Sequence, residues 1–139
     1  MHSRAFLDVV DDLATGPSEA HWRTAVGRAY FALFLECREA QSRWGLSLPS
    51  QNQSHRTVRL RLVVAQDSDL LSVATFLEKL ASYRARADYA PGDIVTFATP
   101  RIAIITIDWA RNALGLLDQV DADPARRAAA VAAIKKTYP

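Results

Sequence analysis

Apolar residues recur every three or four positions along most of the chain, and glycine, proline and capping residues divide that pattern into helices. Phe6, Val9, Val10 and Leu13 trace a first stripe, with Ser3 as its cap and Gly16-Pro17 as its end. Ser18 opens a second helix that the spacing extends to about Arg43. Trp22, Val26, Ala29, Leu33 and Cys37 advance along one face of it, flanked by Ala25 and Phe34. Gly45 closes this helix, and Leu46 to Gln53 reads as a polar loop containing Pro49.

Ser54 is the expected cap of a third helix, His55 to about Gln66. Val58, Leu62 and Val63 form its stripe, while Arg56, Arg59 and Arg61 fall elsewhere and are expected on a solvated face. Asp67-Ser68-Asp69 breaks the chain and supplies the next cap. A fourth helix runs from about Leu70 to Asp88, with Leu70, Val73, Leu77 and Leu80 inward, and Pro91-Gly92 stops it. Ile94 to Ala98 has strand character but no partner strand, and reads as an ordered linker.

Thr99-Pro100 and Asp123-Pro124 each pair a cap with proline at a first helical position. The first opens a fifth helix through Ile102, Ile105, Trp109, Ala113 and Leu116 to about Val120. β-Branched residues crowd its start, so strand is the competing reading there. The second opens an Ala-rich helix ending near Lys136. The pattern predicts an all-α, antiparallel bundle of five to six helices, with residues 1–139 as one domain and 121–139 as a C-terminal helical extension.

Composition narrows the class. Of 139 residues, 50% are hydrophobic and 23% charged, enough to build a core rather than a disordered chain. A single Cys rules out an internal disulfide, and no Cys/His cluster has zinc-site spacing. No apolar run approaches the roughly 18–20 residues of a membrane span. Asp8, Asp11 and Asp12 come too early for a signal peptide. The expectation is a cytoplasmic domain without membrane contact, metal or cofactor.

The formal net charge of +2 is too small to mark a general polyanion binder. Its distribution is uneven, with a net −3 over residues 1–20 and +5 over residues 21–61. Fourteen of the seventeen basic residues are Arg, which favours planar contacts with phosphate or carboxylate, although a genome rich in G and C produces the same excess. There is no Gly-rich phosphate loop, Gly-x-Ser-x-Gly elbow or His-Glu-x-x-His helix. His2 lies near the N-terminus, which leaves His21 and His55 as acid–base candidates.

Three stretches stand out: Arg28-Ala29-Tyr30-Phe31-Ala32-Leu33-Phe34-Leu35, Ser54-His55-Arg56-Thr57-Val58, and Leu80 to Tyr89 with its Arg84-Ala85-Arg86-Ala87-Asp88-Tyr89 ending. Together, in this order over roughly residues 1–120, they resemble a HEPN domain, the "higher eukaryotes and prokaryotes nucleotide-binding" helical family. The resemblance is to the small bacterial branch whose second helix reads Arg-Ala-Tyr-Tyr-Ala-x-Phe-His. It implies a homodimer in which the Arg28 faces of two protomers meet. It also implies partners such as a nucleotidyltransferase or another defence-system protein, and RNA or a nucleotide as ligand.

HEPN ribonucleases carry an Arg followed after four to six residues by His on this helix. There the His serves as general acid or base, and the Arg holds the phosphate. Here Arg28 is followed seven positions later by Leu35, which has no proton to give. The resemblance therefore implies a binding or scaffold protein in a toxin–antitoxin or phage-defence setting. Its RNA or nucleotide contacts would come from Arg28, His55, Arg59, Arg84 and Asp88. The alternative is a metal-independent endoribonuclease toxin with His55 and Arg28 or Arg84 as a relocated pair.

Other residues have simpler expected roles. His21 is expected as an exposed first-turn residue, and Arg84 and Asp88 as an i,i+4 pair. Tyr83 and Tyr89 are expected in core or interface, with base stacking as the alternative. Arg28, on an otherwise apolar stretch, needs either an acid (Asp8, Asp11, Asp12, Asp88 or Asp108) or an open cleft.

Overall fold

Helical propensity and punctuation resolve, among the described residues, into six helices: α1 Ala5–Ala14, α2 Glu19–Arg43, α3 Ser54–Val64, α4 Ser68–Tyr89, α5 Arg101–Asp121 and α6 Pro124–Thr137. The computed structural model describes residues 3–48, 50 and 54–139. His2 and part of the polar loop, residues 49 and 51–53, lie outside the described residues. No strand occurs among the described residues, so the β-branched start of α5 is helical. The short links between α1 and α2 and between α3 and α4 make these contacting helices antiparallel neighbours. No described helix is long and apolar enough to cross a membrane.

Two caps form as the sequence predicts. Asp67 accepts from the Asp69 and Leu70 amides, and Asp123 from those of Ala125 and Arg126, with Pro124 opening α6. Thr99 accepts from the Arg101 amide at 3.3 Å, although Pro100 stands just before the helix rather than inside it. Three serine caps differ. Ser3 turns away from α1 and donates to the buried carboxylate of Glu36. Ser18 bonds the His21 ring at 2.6 Å instead of the helix backbone. Ser54 is the first residue of α3, and its buried hydroxyl has no partner among the described residues.

α2 is the central element, packed by α1, α3, α4 and α5, while α6 lies against α3 and α5. Val26, Ala29, Leu33 and Cys37 of α2 and Leu70, Val73, Leu77 and Leu80 of α4 are fully buried, as their stripes predict. Trp22 is only partly buried. In α1 the inward residues are Leu7, Val10 and Ala14, whereas Val9 is 54% exposed. The interior of α5 is Ala103, Thr106, Ile107, Ala110, Ala113, Leu114, Leu117 and Val120, with Ile102, Trp109 and Leu116 on its flanks. α2 likewise buries Ala25, Ala29, Ala32 and Ala40. Small residues share this interior with large ones such as Leu33, Leu77 and Leu117.

Between α4 and α5 the chain turns through residues 90–100, and Phe97 is fully buried beneath the Arg23 guanidinium, 4.2 Å from its ring centre. Arg23 also donates to the carbonyls of Arg86, Ala87, Ala90 and Asp93 at 2.9–3.1 Å. These are the last carbonyls of α4 and the start of the linker, where the Arg86 carbonyl also accepts from the Ala90 amide and the Ala90 carbonyl from the Asp93 amide.

Candidate functional site

The N-terminal half of α2, the start of α3 and the end of α4 converge on a cluster of aromatic rings and arginines. Tyr30, one turn along α2 from Val26, is buried and points its hydroxyl at Nδ1 of His55, 2.8 Å away at the start of α3. Phe34, one turn further, stacks on Tyr30 with ring centres 5.8 Å apart and lies 6.2 Å from the imidazole. Burial pushes the Tyr30 hydroxyl up to about 12, against the opposing pull of Arg84. Burial also lowers the His55 pKa. Glu78 opposes that shift, and Arg59 and Arg84 reinforce it. Both members of the pair are thus held neutral near pH 7.

Arg84, near the end of α4, faces three rings. Its guanidinium lies 5.0 Å from Phe31, 5.6 Å from Tyr30 and 5.9 Å from Tyr89. Arg84 Nε is 3.0 Å from Asp88 Oδ2, off the N–H direction, so the expected i,i+4 pair is an attraction of charges rather than a directed hydrogen bond. Arg28 is exposed and has no ion-pair partner among the described residues. It leans over Phe6, 5.4 Å from the ring, and lines a cleft of about 300 Å³ with Thr24, Gly27, Phe31 and Asp88. Of the acids proposed for it, Asp11 pairs with Arg111 and Asp88 with Arg84.

Arg28, Arg84, Asp88 and His55 therefore share one patch through Phe31 and Tyr30. Arg59 is drawn to the edge by Glu78, 2.8 Å away. His55 has no hydrogen bond to an arginine among the described residues. Leu35 is half-buried and lines a separate cavity of about 350 Å³ with Arg38, Glu39, Ser42, Arg43 and Leu48. Tyr89 is 74% exposed, not a core residue, whereas Tyr83 packs on Trp109 with ring centres 5.7 Å apart. His21 is half-buried against Gly16 rather than exposed. No group of three or more His, Cys, Asp and Glu side chains suited to a metal lies together among the described residues.

Three charged residues with structural or binding consequence escape the sequence pattern. Arg23 pairs with Glu19 one turn before it, but its carbonyl contacts are more than sixty positions away. Glu36 is 3% exposed and receives Ser3 and Arg4. Arg61, expected on the solvated face, is buried at 9% exposure, while Val63, expected inward, is 40% exposed. The Val58, Arg61, Leu62 spacing was the available signal, since it places Arg61 on the inward face of α3. The chain matches no family model, no curated protein and no solved structure.

Proposed function

We propose that the chain is a HEPN-like module that binds RNA or a nucleotide without cleaving it, acting with a partner protein in a toxin–antitoxin or phage-defence setting. The observation that carries this reading is Leu35 seven positions after Arg28, where a proton donor would be required. The patch around Arg84 supports the binding half of the proposal. Arg28 provides an uncompensated positive charge for a phosphate, and the exposed Tyr89 ring provides a face for a base. His55, bonded to Tyr30, contributes a fixed polar edge beside them. Phe31 and Leu35 add apolar surface on the Arg28 side of α2, consistent with pairing of two protomers or docking of a nucleotidyltransferase.

Fluorescence anisotropy with a labelled structured RNA, without added metal, tests the proposal. Binding is expected to weaken with rising salt, and about tenfold on Arg28→Ala, equivalent to roughly 1.4 kcal/mol. The RNA should remain intact on a denaturing gel. Cleavage that disappears in His55→Ala would favour the endoribonuclease reading. Absence of RNA and nucleotide binding would leave neither reading standing.

A further inference from the structure

Arg61 is a buried cation without a counter-charge. It projects from α3 beside Gln41 of α2, which is fully buried. Arg61 Nη1 donates to Gln41 Oε1 at 3.3 Å, while Gln41 Nε2 donates to the Val58 carbonyl at 2.9 Å, so the amide fixes the guanidinium to its own helix. No carboxylate forms an ion pair with Arg61 among the described residues. Asp121, on the α5 side, is engaged by Arg43 and Trp44. Burial lowers the proton affinity of Arg61, yet an arginine stays charged at any physiological pH. A buried charge left without a partner is unfavourable unless a ligand supplies one.

Arg61 is also one of the residues that line a cavity of about 510 Å³. Lys135 of α6, a second cationic residue, shares its wall with the hydroxyl-bearing residues Ser47 and Tyr138. Pro139 and the residues where α2 ends make the remaining wall. Gly45 takes φ +83, which lets the Gly45 and Leu46 amides return to the carbonyls of Ser42 and Gln41 and turns Leu46-Ser47 over the cavity. No Asp or Glu side chain lines it. A guanidinium fork and an ammonium on one concave surface match the oxygens of a tetrahedral anion.

We propose that this cavity, distinct from the Arg28–Arg84 patch, binds a phosphate group carried either by inorganic phosphate or by a small phosphomonoester, with Arg61 and Lys135 as its cationic ligands and Gln41 as the residue that positions Arg61. The cavity has room beyond the phosphate for a small organic group beside Tyr138.

Isothermal titration of the full chain with inorganic phosphate and, separately, with phenyl phosphate at matched ionic strength tests this. Saturable binding of at least one probe is expected, and tighter binding of phenyl phosphate would identify the monoester as the preferred source. Arg61→Met should weaken binding at least tenfold, and Lys135→Ala, at an exposed position, severalfold. Arg61→Met should also leave the thermal midpoint of the ligand-free protein unchanged or raised, because it removes an uncompensated charge. Lys135→Ala keeps the test decisive if Arg61→Met does not fold. Failure of both probes to bind, or binding unchanged in Lys135→Ala and in a folded Arg61→Met, would overturn the proposal. So would Arg61→Met weakening the RNA probe but neither phosphate.

Discussion

Replacing Arg23 with Ala removes one side chain from two structures at once, the end of α4 and the linker that buries Phe97. The guanidinium spans four carbonyls at 2.9–3.1 Å, belonging to Arg86, Ala87, Ala90 and Asp93. It also covers Phe97 from 4.2 Å. A hydrogen bond involving a charged group contributes roughly 1.5–3 kcal/mol, but these bonds share donors and water would reclaim some of the acceptors. The ring contact adds about 0.5–2 kcal/mol. A net loss of about 3 kcal/mol is expected, which for a chain of this size lowers the thermal midpoint by roughly 10 °C. Urea unfolding followed by circular dichroism measures the free energy. Hydrogen exchange should localise the loss to the last turn of α4 and residues 90–97. Arg23→Lys keeps the charge but loses the planar fork, and should retain less than half of the stabilisation. Glu19→Ala removes only a partner that is 41% exposed and should cost under about 0.5 kcal/mol. A loss below about 1 kcal/mol in Arg23→Ala would refute the view that this residue fastens the linker.

The Tyr30–His55 pair predicts a stability window. Burial lowers the His55 pKa below its usual 6.5, so the unfolded chain binds a proton that the native ring resists, and stability falls as pH drops below about 6.5. Tyr30, raised to about 12, contributes stability that is full below about pH 10 and is lost as pH climbs through 12. Urea melts should show the acid limb flattened in His55→Asn and the alkaline limb flattened in Tyr30→Phe; unchanged limbs would contradict the assignment. Two glycines should respond with opposite signs. A Cβ on Gly16 would sit 2.5 Å from the His21 ring, so Gly16→Ala should destabilise by about 1–3 kcal/mol, and less when His21 is also Ala. Gly115, in mid-α5 with open space around it, should gain roughly 0.5–1 kcal/mol as Ala, read from the same melts.

How far the fold was legible depended on which residues touch. The stripes of α2 and α4 were readable because Val26, Leu33, Leu70 and Leu77 are both large and innermost. The stripe of α5 is displaced because the small Ala103, Thr106 and Ala110 are fully buried, while the more conspicuous Ile102 and Trp109 are only partly buried beside them. The resemblance brought Arg28, His55, Arg59, Arg84 and Asp88 forward as one set, and in the fold Arg28, His55, Arg84 and Asp88 meet around Phe31 and Tyr30 while Arg59 pairs with Glu78. It gave no sign of the Tyr30–His55 bond, since residues 25 positions apart meet only after α3 has folded back onto α2. The charge of Arg61 argues for the solvated face, but its place between Val58 and Leu62 turns it inward.

Asp67 serves two helices. The same carboxylate that accepts from the first amides of α4 also accepts from Arg126 at 2.9–3.1 Å, and Asp69 adds a further contact to that arginine. The last helix and the first turn of the fourth are therefore joined through one acidic corner, so neither can fray alone without disturbing the other. In a breathing molecule these two distant stretches of sequence belong to a single cooperative unit, while the far half of α6 is held separately by the buried Ala130 and Ile134.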